Sequence, residues 1–313
     1  DSREVRAAHG RDEKASQDAP VGAAPAATAD SSVATSAMSA MEAALQGTSA
    51  EVVPASNTRL SKSEADTLTN TLRARNPDRG AGYEVLLRLK DHHNELISPS
   101  AFMPTAERFG LMADIDRWVI HNALRALRET ARQGRRVKLS LNLSAQSLIN
   151  PSTASFVTDK LVEFDVDAKQ LVFEITESRA VSNLESARAL IGHLRALGCQ
   201  FALDDFGVGF STFSHLKHLD VDYLKIDGSF IQGLVDDKVD QAVVKAITGI
   251  AHSVGKLTVA EFVDRPQILP LLRDCAVDYI QGYFIGEPQV GLDRALPFAQ
   301  VAGQDAEPIR AAG

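Results

Sequence analysis

Cysteine is scarce: the 313 residues hold two, Cys199 and Cys275, far apart and without metal-ligand spacing. That excludes a disulfide framework and a thiolate zinc site, and predicts two buried, reduced thiols in an intracellular protein. Basic charge is also in deficit. Lys plus Arg number 33 against 41 Asp plus Glu, a net charge of −8, so the chain lacks the electrostatic footprint for duplex nucleic acid. No apolar run approaches the ~18 residues that mark a membrane-spanning helix, and no signal-peptide pattern opens the chain. No membrane segment is therefore expected within it. Aromatic residues are missing from the first quarter, with all eighteen at or after Tyr83. Between Ala19 and Ala40, eighteen of twenty-two residues are Ala, Ser, Thr, Pro or Gly, too little apolar surface to offset chain entropy. Residues 1–37 thus read as a charged, low-complexity linker, 38–290 as the globular unit and 291–313 as a tail. The sequence starts without Met, which fits a piece of something longer.

From Tyr83 onward short β-like runs alternate with amphipathic helical stretches. The runs are Tyr83–Leu89, Val137–Leu143, Leu171–Ile175, Gln200–Leu203, Tyr223–Ile226, Leu257–Ala260 and Asp278–Gln281. Most are rich in Val, Ile, Leu or Phe, as strands buried on both faces are. Between them, Asp116–Gln133, Asn183–Leu197, Asp236–Val254 and Pro266–Cys275 carry helical periodicity, and Gly198 and Gly255 stand where C-caps belong. This alternation predicts a parallel sheet with right-handed crossovers, an α/β fold of the (β/α)8 TIM-barrel type. Its first strand, Glu51–Pro54 after a helical AMEAALQ segment, is weak: only Val52 and Val53 favour β, and Pro54 suits an edge or an end.

In such a barrel the catalytic groups sit at the C-terminal ends of the strands. There the sequence places Asn142, Glu174, Asp204 with Asp205, Lys225, Glu261 and Gln281. Glu84, near the start of its own run, is not selected by strand-end position. With it, five carboxylates serve one mouth. They would repel and raise one another's pKa unless a cation sat among them. Oxygen ligands without His or Cys suit Mg2+ or Mn2+, and the Asp204–Asp205 pair could feed two ions, the usual device for attack of water on a phosphate ester. Lys225 would orient the water or offset charge on phosphate; a Schiff-base lysine is the rival role, though that chemistry has no use for the carboxylates. Other features read as structural: the GVG of DFGVGFS, the His92–His93 and His215/His218 pairs, Asp165 and Asp167, and the helix charges Glu107, Arg108 and Arg117.

The segments YEVLLRL, LNLSAQSL, FEITES, LDDFGVGFSTFSHL, VDYLKIDGSFI, VAEFVD and IQGYFIGEP, in that order, closely resemble the EAL-domain family of cyclic di-GMP phosphodiesterases. The resemblance spans about Tyr83 to Pro288. It implies a TIM-type barrel, metal-dependent hydrolysis of cyclic di-GMP to linear pGpG, and homodimerisation through the DDFG-loop region. By resemblance, Glu84, Asn142, Glu174, Asp204, Asp205 and Glu261 form the metal-binding set. Lys225 assists the attacking water, Gln281 lies at the site, and Glu177 steadies the loop after Asp205. Leu86, Arg88, Asp116, Asp264 and Pro288 fall at substrate-proximal positions. The chain departs from the pattern in Val85 for the Ala of Glu-Ala-Leu, in Leu89 where Trp is common, and in Asp264, a carboxylate one methylene shorter than the family's Glu. VVPASN also stands where the first strand usually carries Gln-Pro. These departures sustain a second reading, a receptor that binds cyclic di-GMP without cutting it. The N-terminal EVRAAHGRDEK resembles the tail of a diguanylate cyclase (GGDEF) domain. That implies an upstream GGDEF or sensor domain in a longer regulator tethered to the inner membrane, with the present stretch cytoplasmic.

Overall fold

Strands with helices outside and a barrel interior inside must be apolar on both faces over most of their length. The computed structural model of the chain describes residues 51–57, 82–90, 96–208 and 215–288. The expected linker 1–37, the AMEAALQ helix, the tail 291–313 and the His92–His93 pair lie outside the described residues. Among the described residues ten strands form one sheet: β1 (Glu51–Asn57), β2 (Gly82–Lys90), β3 (Leu96–Ile97), β4 (Lys138–Asn142), β5 (Leu171–Thr176), β6 (Gln200–Phe206), β7 (Tyr223–Ile226), β8 (Leu257–Ala260), β9 (Tyr279–Ile280) and β10 (Gly286–Pro288). The seven runs read from the sequence are β2 and β4 to β9, and neighbours among them pair in parallel.

The first strand differs from a regular (β/α)8 barrel. It is longer than expected and runs antiparallel to both neighbours, with Val53 opposite Leu86 on β2 and Ala55 opposite Pro288 on β10. An antiparallel strand meets its neighbours' backbone donors and acceptors without a right-handed crossover. A short, Pro-bearing segment can thus bridge β2 and β10. The curled parallel sheet carries its helices between strands: α1 (Pro99–Arg108), α2 (Met112–Arg132), α3 (Ala145–Ile149), α4 (Ser152–Phe164), α5 (Glu177–Ser182), α6 (Leu184–Leu197), α7 (Gly228–Gln232), α8 (Lys238–Ser253) and α9 (Ile268–Asp274). The helix α2 begins one turn before the periodic stretch read from the sequence and buries Ile115, Val119, Ile120, Ala123, Leu124 and Leu127 as one stripe. Gly198 caps α6 at φ 109°, and Gly255 follows α8 at φ 73°, the left-handed geometry that favours glycine.

Alternation along the strands then sorts the side chains. Phe173, Phe201, Leu203, Leu224 and Ala260 join the large outer core beneath the helices. Their neighbours Val172, Ala202 and Tyr223 turn the other way and pack with Leu257, Val259 and Tyr279 into a separate apolar plug. Tyr223 and Tyr279 meet edge to face with ring centroids 5.9 Å apart. Two residues further along the same faces come Glu174, Asp204, Lys225, Glu261 and Gln281, so the plug is the floor on which the polar site stands.

Candidate active site

Lys225 occupies the centre. It follows Tyr223 on the inner face of β7 and its side chain is 2% exposed. Its Nζ lies 2.7 Å from Glu174 Oε2, 2.7 Å from Glu261 Oε1, 3.0 Å from Asp204 Oδ1 and 4.0 Å from Glu84 Oε2. These carboxylates come from β5, the end of β8, β6 and β2, so four separate strands converge on one ammonium. A lone buried ammonium would lose its proton to the desolvation cost. Here the carboxylates override burial and hold Lys225 well above its ordinary range.

One ammonium cannot neutralise all of these carboxylates. Burial, reinforced by Glu84 and Asp204 and only partly offset by Lys225, pushes the Glu174 carboxyl from 4.5 to about 8. Burial likewise lifts Glu261 to about 7, with Lys225 opposing and Asp204 adding to the rise. Two amides tether the remaining acid. Asn142 Nδ2 donates to Glu84 Oε1 at 2.7 Å, and Gln281 Nε2 donates to Glu84 Oε2. Each amide thereby spends one N–H on Glu84, and both side-chain carbonyls are left to accept or to coordinate.

Two consecutive carboxylates can serve one mouth only if the strand breaks its alternation. The β6–β7 register shifts between Leu203 and Phe206, and Asp205 sits in the left-handed region at φ 54°. This is the geometry of a bulge, and Asp is among the residues that tolerate it. Oxygens of Asp204, Asp205 and Glu261 consequently fall within 4.8 Å of one another. Burial, then the charges of Asp204 and Asp227, raise the Asp205 carboxyl. Asp204 Oδ1 is buried and makes no hydrogen bond, its nearest cation being the Lys225 ammonium. Three carboxylates clustered this closely, with a single ammonium beside them, are an all-oxygen donor set that fits a hard divalent cation. The structure thus holds a candidate acidic metal-binding group, and the Lys225 role of Schiff-base nucleophile fits poorly with an ammonium tied to three acids.

The remaining sequence candidates are dispersed. Glu84, Leu86 and Arg88 share one side of β2, the side opposite the buried Tyr83, Val85 and Leu89. Arg88 donates from Nη1 to the Leu87 carbonyl at 2.8 Å. Glu177 is buried in the first turn of α5, three residues beyond Glu174. Pro288 is in β10 opposite Ala55, and the half-exposed Asp264 follows Glu261 with its Oδ1 3.8 Å from Arg265 Nε. Asp116 differs most from expectation. It is buried in α2, and its Oδ2 accepts the Ser144 N–H at 2.9 Å. Burial raises this carboxyl, while Ser144 and Ser147 pull the other way. It braces the turn just after Asn142 and Leu143. Glu107, read as a solvated charge, also has partners: Arg179 Nη2 lies 3.1 Å from its Oε1, and Gln146 Nε2 donates to its backbone carbonyl at 3.3 Å. The sequence reading missed Arg179, whose one signal was its place two residues after Glu177. Cys199 and Cys275 are both buried and unpaired.

Residues 75–288 match the model of the EAL domain. The cyclic di-GMP phosphodiesterase PdeF of Escherichia coli K12 is 40% identical over 211 residues, 67% of this chain and 28% of PdeF. The chain spans about a quarter to a third of the length of the curated relatives it matches. Among solved structures, the FimX EAL domain of Pseudomonas aeruginosa bound to c-di-GMP superposes with a TM-score of 0.72 at 32% identity, covering 82% of this chain and 98% of that one. The PaMucR phosphodiesterase in its c-di-GMP complex gives 0.71 at 27% identity over 83% and 99% of the two chains. A curled sheet of seven parallel strands flanked at β2 by a reversed one, an acidic mouth centred on a lysine, and a match over two thirds of the sequence agree: this chain belongs to the EAL-domain family.

Proposed function

We propose that the domain hydrolyses cyclic di-GMP to linear pGpG, using Mg2+ or Mn2+ at a two-ion site. The observation that carries this reading is the convergence of Asp204, Asp205 and Glu261 beside the buried Lys225. Glu84, Asn142, Glu174, Asp204, Asp205 and Glu261 would hold the ions, whose Lewis acidity when bound offsets charge on the phosphate. Lys225 keeps three of those carboxylates apart at hydrogen-bonding distance and presents positive charge to the attacking water. Asn142 and Gln281 fix the rotamer of Glu84. Glu177 supports the loop after Asp205, while Leu86, Arg88, Asp264 and Pro288 line the approach of the dinucleotide. Asp116 acts at one remove, through Ser144. In the reaction water oxygen bonds to phosphorus, one P–O3′ bond breaks, and the leaving O3′ takes a proton. A phosphomonoester remains on the 5′ side.

The same reading includes a homodimer formed through the DDFG-loop region and an upstream GGDEF or sensor domain. The greater length of the relatives supports the latter. A cytoplasmic site of action, with the full-length protein tethered to the inner membrane, completes it. Among the described residues no helix is long and apolar enough to cross a membrane. The test is chromatography of cyclic di-GMP incubated with the purified chain and Mg2+ or Mn2+, then with EDTA. Metal-dependent pGpG is the expected result. Binding of the intact dinucleotide without product would replace the enzyme with the receptor, a reading favoured by the substitutions at Val85 and Asp264.

A further inference from the structure

Arg179 is a second guanidinium, besides Arg88, near the acidic mouth. It projects from α5, two residues beyond Glu177, and its Nη2 rests 3.1 Å from Glu107 Oε1 on α1, with 35% and 51% of the two side chains exposed. Among the described residues that is its one ion-pair partner, so the rest of the guanidinium fork is open to a ligand. Its helix α5 opens directly after β5, the strand that carries Glu174 to Lys225, so the guanidinium stands at the same strand-end side of the sheet as the acids.

Cyclic di-GMP carries two phosphodiesters. If one is engaged at the carboxylate cluster, the other needs positive charge nearby; the cluster's own lysine is buried and committed to three acids, and Arg88, on the Glu84 side of β2, has one Nη donating to the Leu87 carbonyl. We propose that Arg179 is a substrate-binding residue that leaves Glu107 to grip the phosphodiester that is not being cut. The inference rests on the cyclic di-GMP reading above. A half-exposed ion pair is weak because water and salt screen it, which makes Glu107 a resting place that a doubly oxygenated phosphate can outcompete through bidentate hydrogen bonds. The pair is then a parked recognition group.

Opposite signs at the two partners separate this role from a structural clamp. Arg179→Met is expected to raise KM for cyclic di-GMP, and its Kd measured in calcium, on the order of tenfold or more while kcat changes little. Arg179→Lys should recover part of the loss. Glu107→Gln frees the guanidinium and should leave KM unchanged or lower it. The wild-type KM should rise with salt more steeply than that of Arg179→Met. Equal weakening by Arg179→Met and Glu107→Gln, with lowered melting temperatures, would make the pair a clamp between α1 and α5 and overturn the proposal. So would an unchanged KM in Arg179→Met alongside an active wild type. A wild type that neither binds nor cleaves cyclic di-GMP would instead sink the functional reading itself.

Discussion

Each acid around Lys225 does something different because each meets a different mixture of burial and partners. Asp204 and Glu261 share the ammonium and also face Asp205, so removing either deletes a proposed metal ligand and unbalances a buried charge. Asp204→Ala and Glu261→Ala should lower turnover by at least about 100-fold, measured as pGpG release at saturating metal. Near wild-type turnover in either would refute the assignment of both to the metal site. Lys225 works through charge and position. Lys225→Ala should depress kcat far more than the affinity for cyclic di-GMP, since the acids proposed to hold the ions remain. Equal losses in both would make the lysine a substrate contact. The chemical types of these residues, at strand ends, were legible in the sequence. Their division of labour was not, because it depends on distances between residues up to 197 positions apart, as for Gln281 and Glu84.

At the scale of the element, the seven parallel strands were readable because burial on both faces writes itself as a short apolar run, and an inward polar residue at its end stands out. What could not be read is local geometry without a compositional mark. An Asp-Asp pair does not announce the bulge that turns Asp205 to φ 54°, and VVPASN does not announce an antiparallel strand. Nor does Asp116 reveal its hydrogen bond to Ser144, 28 residues away. That bond supports the turn after β4 and can be tested there. Asp116→Ala leaves a buried N–H unpaired, and should cost about 1–3 kcal/mol in urea unfolding; a cost near zero would show that water or a neighbour replaces the carboxylate. Gly282 offers a sharper case. It follows Gln281 at φ 154°, and an added Cβ would stand 2.3 Å from both N and O of Val263. Backbone cannot rotate away as a side chain can, so Gly282→Ala should destabilise by more than about 2 kcal/mol. It should also displace Gln281 from Glu84, lowering turnover. A melting temperature within a degree or so of wild type would show that this loop yields more easily than its packing implies.

For the whole molecule, the acidic mouth opposes folding, and the opposition has a pH dependence. Glu174 and Glu261 have folded-state pKa values of about 8 and about 7, both above the ordinary 4.5. Between about pH 4.5 and 8 the native state therefore holds more protons than the unfolded chain, and stability of the metal-free protein must fall as pH rises through that window. Lys225 does not cancel the slope. Its pKa is raised above 10.5, so its contribution is already complete below that value and stays constant through this range. A divalent cation at the proposed site would reverse the balance, because it would bind the ionised carboxylates and release their protons. The melting temperature in EDTA is thus expected to drop between about pH 6 and 8, and the stabilisation by saturating Mg2+ or Mn2+ should be larger at the upper end. Glu174→Gln removes one of the titrating groups and should flatten the EDTA profile while weakening the response to metal. An EDTA profile of unchanged slope in that variant, or equal metal stabilisation at both pH values, would mean that the acids do not carry the linkage. The carboxylate mouth would then have to be stabilised by something other than the ions whose chemistry it fits.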